Sequence, residues 1–395
     1  MDKIMEKKYD FDTVHDRRNT GSIKWSVGEN ELPMWVADMD FKTAPEIIDA
    51  ITERARGGIF GYTELTDEWY EAYAGWWRSR HGLQMEKGSL MFCTGVVAAI
   101  SSIVRKLTTP NENVVIQTPV YNIFFNSILN NGCRVRENRL IYENGAYRVD
   151  FADLEAALSD PQTTLMILCN PQNPVGKIWD RETLNRIGEL CKKHHVTVIS
   201  DEIHCDITVP GRSYIPFASV SETCRDISVT LIAPTKTFNL AGIQTSAIYV
   251  HDPVLRHKIC RAINTDEVAE PNAFAAIAAI AAFERGGEWA DEMNAYVAKN
   301  RKTVGEFLKD RLPCVKLVPG DATYLLWLDI SSVGKSGEVA PFIRKETGLF
   351  VTAGNVYGSN GEYFLRMNVA CPRSLLTDGL GRLCAGVNAY LAQST

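Results

Sequence analysis

The stretch Val196-Thr197-Val198-Ile199-Ser200-Asp201-Glu202-Ile203-His204 carries the decisive signal. It starts as a short β-branched run and ends in two carboxylates and a histidine. Three other runs share the first half of that pattern: Val114-Val115-Ile116, Leu165-Met166-Ile167-Leu168 and Val229-Thr230-Leu231-Ile232. Short runs of this kind, without polar alternation, are expected of parallel strands covered on both faces. Helical periodicity lies between them. Asp180 is placed to cap a helix in which Leu184, Ile187 and Cys191 recur at i, i+3 and i+7, ending near His194. Strands alternating with helices predict an α/β fold, with a large domain built on a mostly parallel sheet.

The texture changes after residue 280. A polar stretch over 288–312 reads as a long helix and 323–330 as a strand, while 363–369 alternates like a half-exposed strand. Together they predict a smaller α+β domain. The first 45 residues are irregular and rich in aromatics (Trp25, Trp35, Phe41), as expected of an arm lying over something else. The expected division is 1–45 as arm and part of the small domain, 46–282 as the large domain, and 283–395 as the small one.

Composition narrows the class. Of 395 residues, 45% are hydrophobic and 23% charged, ordinary for a globular chain and incompatible with wholesale disorder. Lys and Arg number 42 against 48 Asp and Glu, a net charge of −6, which weighs against a nucleic-acid surface. The ten cysteines form no C-x-x-C pair, so reduced thiols packed in a core are expected. Residues 1–18 are charged throughout, unlike a signal peptide. The apolar run 273–283 is too short to span a bilayer. The expectation is a cytoplasmic enzyme with no membrane or nucleic-acid partner.

In open α/β sheets, ligands bind beyond the carboxyl ends of the strands. Those ends here carry Thr118-Pro119-Val120-Tyr121, Asn170-Pro171-Gln172-Asn173-Pro174-Val175-Gly176, Asp201-Glu202-Ile203-His204 and Ala233-Pro234-Thr235-Lys236. Taken singly, Lys236 reads as a solvated lysine, Asp201 as a helix cap, Asn173 as a turn residue and Tyr121 as core. His204 alone suits a structural role, and the pair His194-His195 suits a helix end. On four consecutive strand ends, however, they converge on one rim. A lysine and an aspartate meeting there suit pyridoxal 5'-phosphate, whose aldehyde needs an amine and whose pyridine nitrogen needs a facing acid. A phosphate site is expected where a strand ending at Cys93 runs through a Thr94 cap and Gly95 into a helix, because helix-start N–H groups bind anions.

Three of these segments, the last extended as Thr235-Lys236-Thr237-Phe238-Asn239-Leu240-Ala241-Gly242, resemble the fold-type I pyridoxal-phosphate enzymes of the aminotransferase class I/II group. More narrowly, Leu32-Pro33-Met34-Trp35-Val36-Ala37-Asp38-Met39-Asp40-Phe41, Gly61-Tyr62-Thr63 and Phe364-Leu365-Arg366-Met367-Asn368-Val369 resemble its cystathionine β-lyase, or C–S lyase, branch. The resemblance implies that Lys236 binds the cofactor aldehyde and moves the substrate's α-proton, and that Asp201 pairs with the pyridine nitrogen. It implies that Asn173 meets the phenolic oxygen, with His204 nearby, and that Tyr121 stacks on the ring. Gly95, Val96, Val97 and Thr235 would serve the phosphate, joined by Tyr62 reaching across a homodimer into the other subunit. Arg366 would hold the substrate carboxylate, with Asn173 and Ala37 lining that pocket, and Tyr121 or Tyr62 would assist at the leaving group.

Departures are visible too. Ala233 and Gln244 stand where many aminotransferases of this fold have serine and arginine, and His204 where they have tyrosine, which favours elimination over transamination. The implied reaction is β-elimination on cystathionine, cysteine or an S-substituted cysteine, yielding a thiol, pyruvate and ammonia. The alternatives are an aminotransferase and, in another class, a pyridoxal-phosphate-binding regulator acting through protein contacts. As a solitary residue, Arg366 would equally suit a surface salt bridge.

Overall fold

The computed structural model describes residues 8–393, so the first seven residues of the expected arm lie outside it. The large sheet has seven strands in the spatial order Leu90–Cys93, Ser246–Tyr249, Ser228–Ile232, Thr197–Asp201, Thr163–Cys169, Asn113–Thr118 and Arg134–Arg139. Every pairing from Ser228–Ile232 onward is parallel; only Ser246–Tyr249 runs antiparallel to its neighbours.

The reason for the unalternating runs is now plain. Val114, Ile116, Leu165, Ile167, Ile199, Val229 and Leu231 face one buried cluster. Val115, Met166, Leu168 and Val198 face another on the opposite side. Successive side chains leave a strand on opposite faces, so a sheet covered on both sides demands apolar residues at every position. Asp180 caps helix Arg181–Lys193 by accepting from Thr183 N, and His194 closes it. Seven of the ten cysteines are buried and all ten are free thiols; Cys260 is exposed, and Cys314 and Cys384 are intermediate.

A second sheet, of four strands, is spatially ordered Lys316–Leu317, Leu325–Asp329, Phe364–Asn368 and Thr352–Ala353. The helix Gly287–Arg311 spans the predicted polar stretch, although eight of its residues are buried. Strand Phe364–Asn368 corrects the expectation of half exposure, since all five of its residues are buried. Its alternation does not mark solvent. Phe364 packs on Trp327 with rings stacked 5.0 Å apart, while Arg366 and Asn368 spend their polarity on the arm. Arg366 Nη2 donates to Trp35 O at 2.9 Å, and Asn368 Nδ2 to Val36 O and Asp38 O at 2.6 Å each.

The arm has little regular structure before helix Pro45–Arg56, apart from Leu32–Pro33 pairing in parallel with Leu349–Phe350. It is held instead by buried charge. Lys24, 1% exposed, donates to Asp40 Oδ2 at 2.8 Å. Asp40 Oδ1 accepts from Arg17 at 3.0 Å and from the Trp25 indole at 2.8 Å. Buried ions survive in a protein interior only when paired and hydrogen-bonded in this way. The outcome is that residues 35–40 are pinned across the mouth of the large sheet.

Candidate active site

The parallel strands end together, and their carboxyl ends open on one cavity of about 290 Å³. Ala37, Gly95, Val96, Val97, Tyr121, Asn173, Asp201, His204, Thr235 and Lys236 all line it. Of the remaining expected residues, Arg366 sits against the cavity wall. Its Nη1 donates to Asn173 Oδ1 at 3.2 Å, and it is 5% exposed, so the surface-salt-bridge reading is excluded. Tyr62 is not brought in. It stands fully exposed in a neighbouring groove with Phe60, Ile243 and Phe274, and Gln244 lines both spaces.

Each element delivers its side chain for a local reason. The loop after Thr163–Cys169 turns back at Gly176, whose φ of 70° and proximity to Ala322 leave no room for a Cβ, which would lie 2.7 Å from that carbonyl oxygen. That tight return presents Asn173 to the cavity. The predicted Thr94 cap is corrected: Gly95 occupies the N-cap of Val96–Leu107, with extended backbone and no side-chain cap. The first helical N–H groups therefore lack a protein side-chain partner at the cavity wall, as an anion site requires.

The charges are tuned by burial. Desolvation lowers the Lys236 amine to about 8, with the nearby Arg366 charge also lowering it and Asp38 and Asp201 opposing. Its Nζ donates to Ala37 O at 2.7 Å. Burial raises Asp201 to about 6, against the Ile203 N–H and the charge of Lys236. His204 is pushed down to about 3, first by burial and then by the charges of Lys236 and Arg366, so its imidazole is neutral at physiological pH. Among the described residues, the buried polar atoms at this site without a partner include His204 Nδ1 and Arg366 Nε. Buried unpaired polar atoms are costly, and a site that keeps them is built for something that fills it.

Several contributors were not legible as such in the sequence. Tyr324 donates to the same Ala37 oxygen at 3.0 Å. Asn239, at φ 56°, accepts from Met39 N and donates to Met39 O and Phe41 O. The one available signal was an asparagine three residues after Lys236, a type that tolerates left-handed backbone. Glu202, beside Asp201, is raised to about 8 by burial while accepting from Ser200 Oγ, Tyr214 OH and Phe217 N.

An uncapped helix start, an amine that loses its proton near neutrality and a buried carboxyl around one cavity define an α/β enzyme equipped to hold an anionic carbonyl cofactor. The chain belongs to the aminotransferase class I and II family, whose sequence profile matches residues 23–383. It is 44% identical over 385 residues to the cystathionine β-lyase PatB of Bacillus subtilis, covering 96% of this chain and all of that protein. It is 30% identical to protein MalY of Escherichia coli, covering 96% of this chain and 99% of MalY. Among solved structures, cystalysin of Treponema denticola, which contains pyridoxal 5'-phosphate, superposes with a TM-score of 0.94 at 31% identity, over 96% of this chain and 99% of that one. The PLP-bound C–S lyase of Staphylococcus hominis gives 0.91 at 32% identity, over 97% and 99%. The fold is thus the fold-type I architecture that the motifs implied.

Proposed function

We propose that this chain is a pyridoxal-phosphate-dependent carbon–sulfur lyase acting on cystathionine, cysteine or S-substituted cysteine, releasing a thiol, pyruvate and ammonia. The observation that carries the reading is the meeting of Lys236, Asp201, Asn173 and His204 on one cavity, with the unpartnered Arg366 Nε beside it. The sulfur substrate class comes from the cystathionine β-lyases and C–S lyases to which the chain is similar.

The donor set fits the cofactor. Lys236 would bind its aldehyde, Asp201 its ring nitrogen, Asn173 and His204 its phenolic edge, Tyr121 its ring face, and Gly95, Val96, Val97 and Thr235 its phosphate. Once bound, pyridoxal phosphate supplies an electrophilic carbon and a ring that accepts the electron pair left at the substrate's α-carbon. The rest belongs to the protein. Lys236, with a lowered affinity for its proton, exists partly as free amine near neutral pH and moves the α-proton. Asp201 keeps a negative charge above pH 6 and stabilises positive charge placed against it. Arg366 has two nitrogens committed to Asn173 and Trp35, and it turns the remaining donors of its planar fork to a carboxylate. His204, being neutral, orients without adding charge.

The arm over 1–45, a large domain over 46–282 and a small domain over 283–395 organise the chain in this reading. The active unit is a homodimer. Tyr62 is fully exposed, and the apolar Ile59 and Phe60 beside it are 80% and 55% exposed, as expected of a segment that a second copy covers. Among the described residues no helix is long and apolar enough to cross a membrane. Free cysteines accord with a reducing cytoplasm.

The test is incubation of the cofactor-loaded enzyme with cystathionine or an S-alkyl cysteine. Pyruvate and free thiol are expected without any added keto acid. A strict keto-acid requirement would make the enzyme an aminotransferase instead.

A further inference from the structure

Behind Lys236 lies a buried polar cluster that the chemistry above does not use. Helix Asp67–Trp76 ends by widening into a π turn, Trp77–His81, before Gly82 turns the chain at φ 68°. Such turns redirect a side chain that a regular helix would point elsewhere, and they concentrate at functional sites. This one carries His81 to Asp206, with Nε2 and Oδ1 2.7 Å apart and the two side chains 8% and 1% exposed. The same Oδ1 accepts from the Trp76 indole N–H at 2.9 Å. The other carboxylate oxygen accepts from Thr237 Oγ1 at 3.1 Å, and Thr237 is the residue after Lys236. Asn294 Nδ2 donates to the Asp206 carbonyl at 2.7 Å, tying in the long helix Gly287–Arg311.

A second arm reaches the other catalytic group. The His81 ring meets Tyr214 edge-on with centroids 5.1 Å apart, and the Tyr214 hydroxyl donates to Glu202, the neighbour of Asp201. Cys205 completes a grouping with His81 and Asp206 whose donor atoms lie within 4.8 Å of one another. Hydrogen bonds already account for that grouping. Three donors occupy both Asp206 oxygens, and burial pushes the Cys205 thiol well above its ordinary range, away from the thiolate a metal needs. Burial also opposes charge on Asp206, but the His81 hydrogen bond and charge, the Trp76 N–H and the charge of Arg80 outweigh it and keep the carboxyl ionised.

We propose that His81, Asp206 and Thr237 form a positioning unit that aims Lys236 from behind, with Asp206 as its hub. None of the three lines the cavity, so they act through Lys236 and not on the substrate. The need for such a unit follows from the Ala37 contact. The Lys236 amine must release the Ala37 oxygen in order to react, and a four-carbon side chain released in this way recovers its rotamer freedom. Backbone bonds from Phe238 N to Pro234 O and from Leu240 N to Thr235 O hold the loop on either side. The Thr237–Asp206 bond fastens the residue next to Lys236 to a buried ionic anchor, and it persists whichever way the amine points.

This inference rests on Lys236 being the cofactor-bearing amine. Its test uses the cofactor-loaded full-length protein and Thr237→Val, which is nearly isosteric and removes only the hydroxyl. Two quantities are read: kcat and KM for thiol release from cystathionine, and the pH midpoint of the visible absorption band. Thr237→Val is expected to lower kcat roughly tenfold while KM stays within about twofold, and to displace the midpoint. Thr237→Ser should recover most of both, and Asp206→Asn should shift both in the same direction as Thr237→Val. Wild-type kcat and midpoint in Thr237→Val, or a loss that Thr237→Ser does not recover, overturns the positioning unit. If Asp206→Asn fails to fold, the two Thr237 variants are sufficient to decide between these outcomes. A wild-type protein that develops no visible band with pyridoxal phosphate defeats the functional reading itself, whereas a band present in both proteins, with kcat and midpoint unchanged in Thr237→Val, defeats only this inference.

Discussion

Lys236 Nζ donates to the carbonyl oxygen of Ala37 across 2.7 Å, joining residues 199 positions apart in the chain. One partner sits on the rim of the large sheet and the other on the irregular arm. The cavity is therefore closed by a segment with almost no secondary structure of its own. What holds that segment is the buried ionic cluster of Arg17, Lys24, Asp38 and Asp40, together with Asn239, Tyr324 and Asn368.

Breaking that cluster should cost stability as well as activity. Asp40→Ala removes the 2.8 Å carboxylate partner of Lys24, which is 1% exposed, leaving it the Asp38 carbonyl at 3.1 Å and the Asp38 carboxylate at 3.7 Å, and deprives Arg17 and Trp25 of an acceptor. Removing one partner of a buried pair costs about 3–5 kcal/mol. Urea denaturation should show a loss of that order; a loss below about 1 kcal/mol would mean that the arm is held by packing alone.

Uptake of pyridoxal phosphate by the cofactor-free protein should quicken with pH and reach half its maximum near pH 8, where burial has placed the Lys236 amine. Lys236→Ala should show no visible band at any pH. The sign carries over to stability. Because the folded amine gives up its proton before the unfolded one, the unfolded state binds more protons between about 8 and 10.5. The contribution of this group to stability therefore rises through that window. A flat uptake profile would contradict the lowered amine.

Asp201→Asn should separate catalysis from folding. Loss of one preorganised charge at a reacting centre typically lowers kcat by about 10²–10³. The cofactor-free protein, in contrast, should be no less stable at pH 7. Asp201 is raised to about 6 by burial, so its ionised form is desolvated there and contributes unfavourably. Calorimetry that finds the variant markedly less stable would assign Asp201 a structural role.

Arg366→Lys should raise KM for amino-acid substrates by about tenfold or more, with a smaller fall in kcat, because a point ammonium cannot hold Asn173, Trp35 and a carboxylate at once. Steady-state kinetics on an S-alkyl cysteine reads this directly. An unchanged KM would remove Arg366 from substrate binding.

The large sheet and most of its rim were legible because their causes are local in sequence. A strand buried on both faces must be apolar at each position, so the runs ending before Tyr121, Asn173, Asp201 and Lys236 announced themselves, and parallel pairing brings their ends together. The strand Phe364–Asn368 shows where that logic stops. Its alternation is real, but its polar residues face the arm's carbonyl groups and not water. Thr94 illustrates the same point at shorter range, since the cap position went to Gly95.

Sequence alone determined the α/β class, the family and the set of side chains at the strand ends, since each depends on periodicity or on short contiguous motifs. Tertiary structure alone decided that Lys24 and Asp40 are interior ions, that Ala37 meets Lys236, and that His81 backs onto Asp206. The physical reason is that desolvation and hydrogen-bond partnership belong to three-dimensional surroundings. A lysine in an irregular segment looks solvated until the chain that buries it, and the carboxylate that justifies its burial, are folded around it.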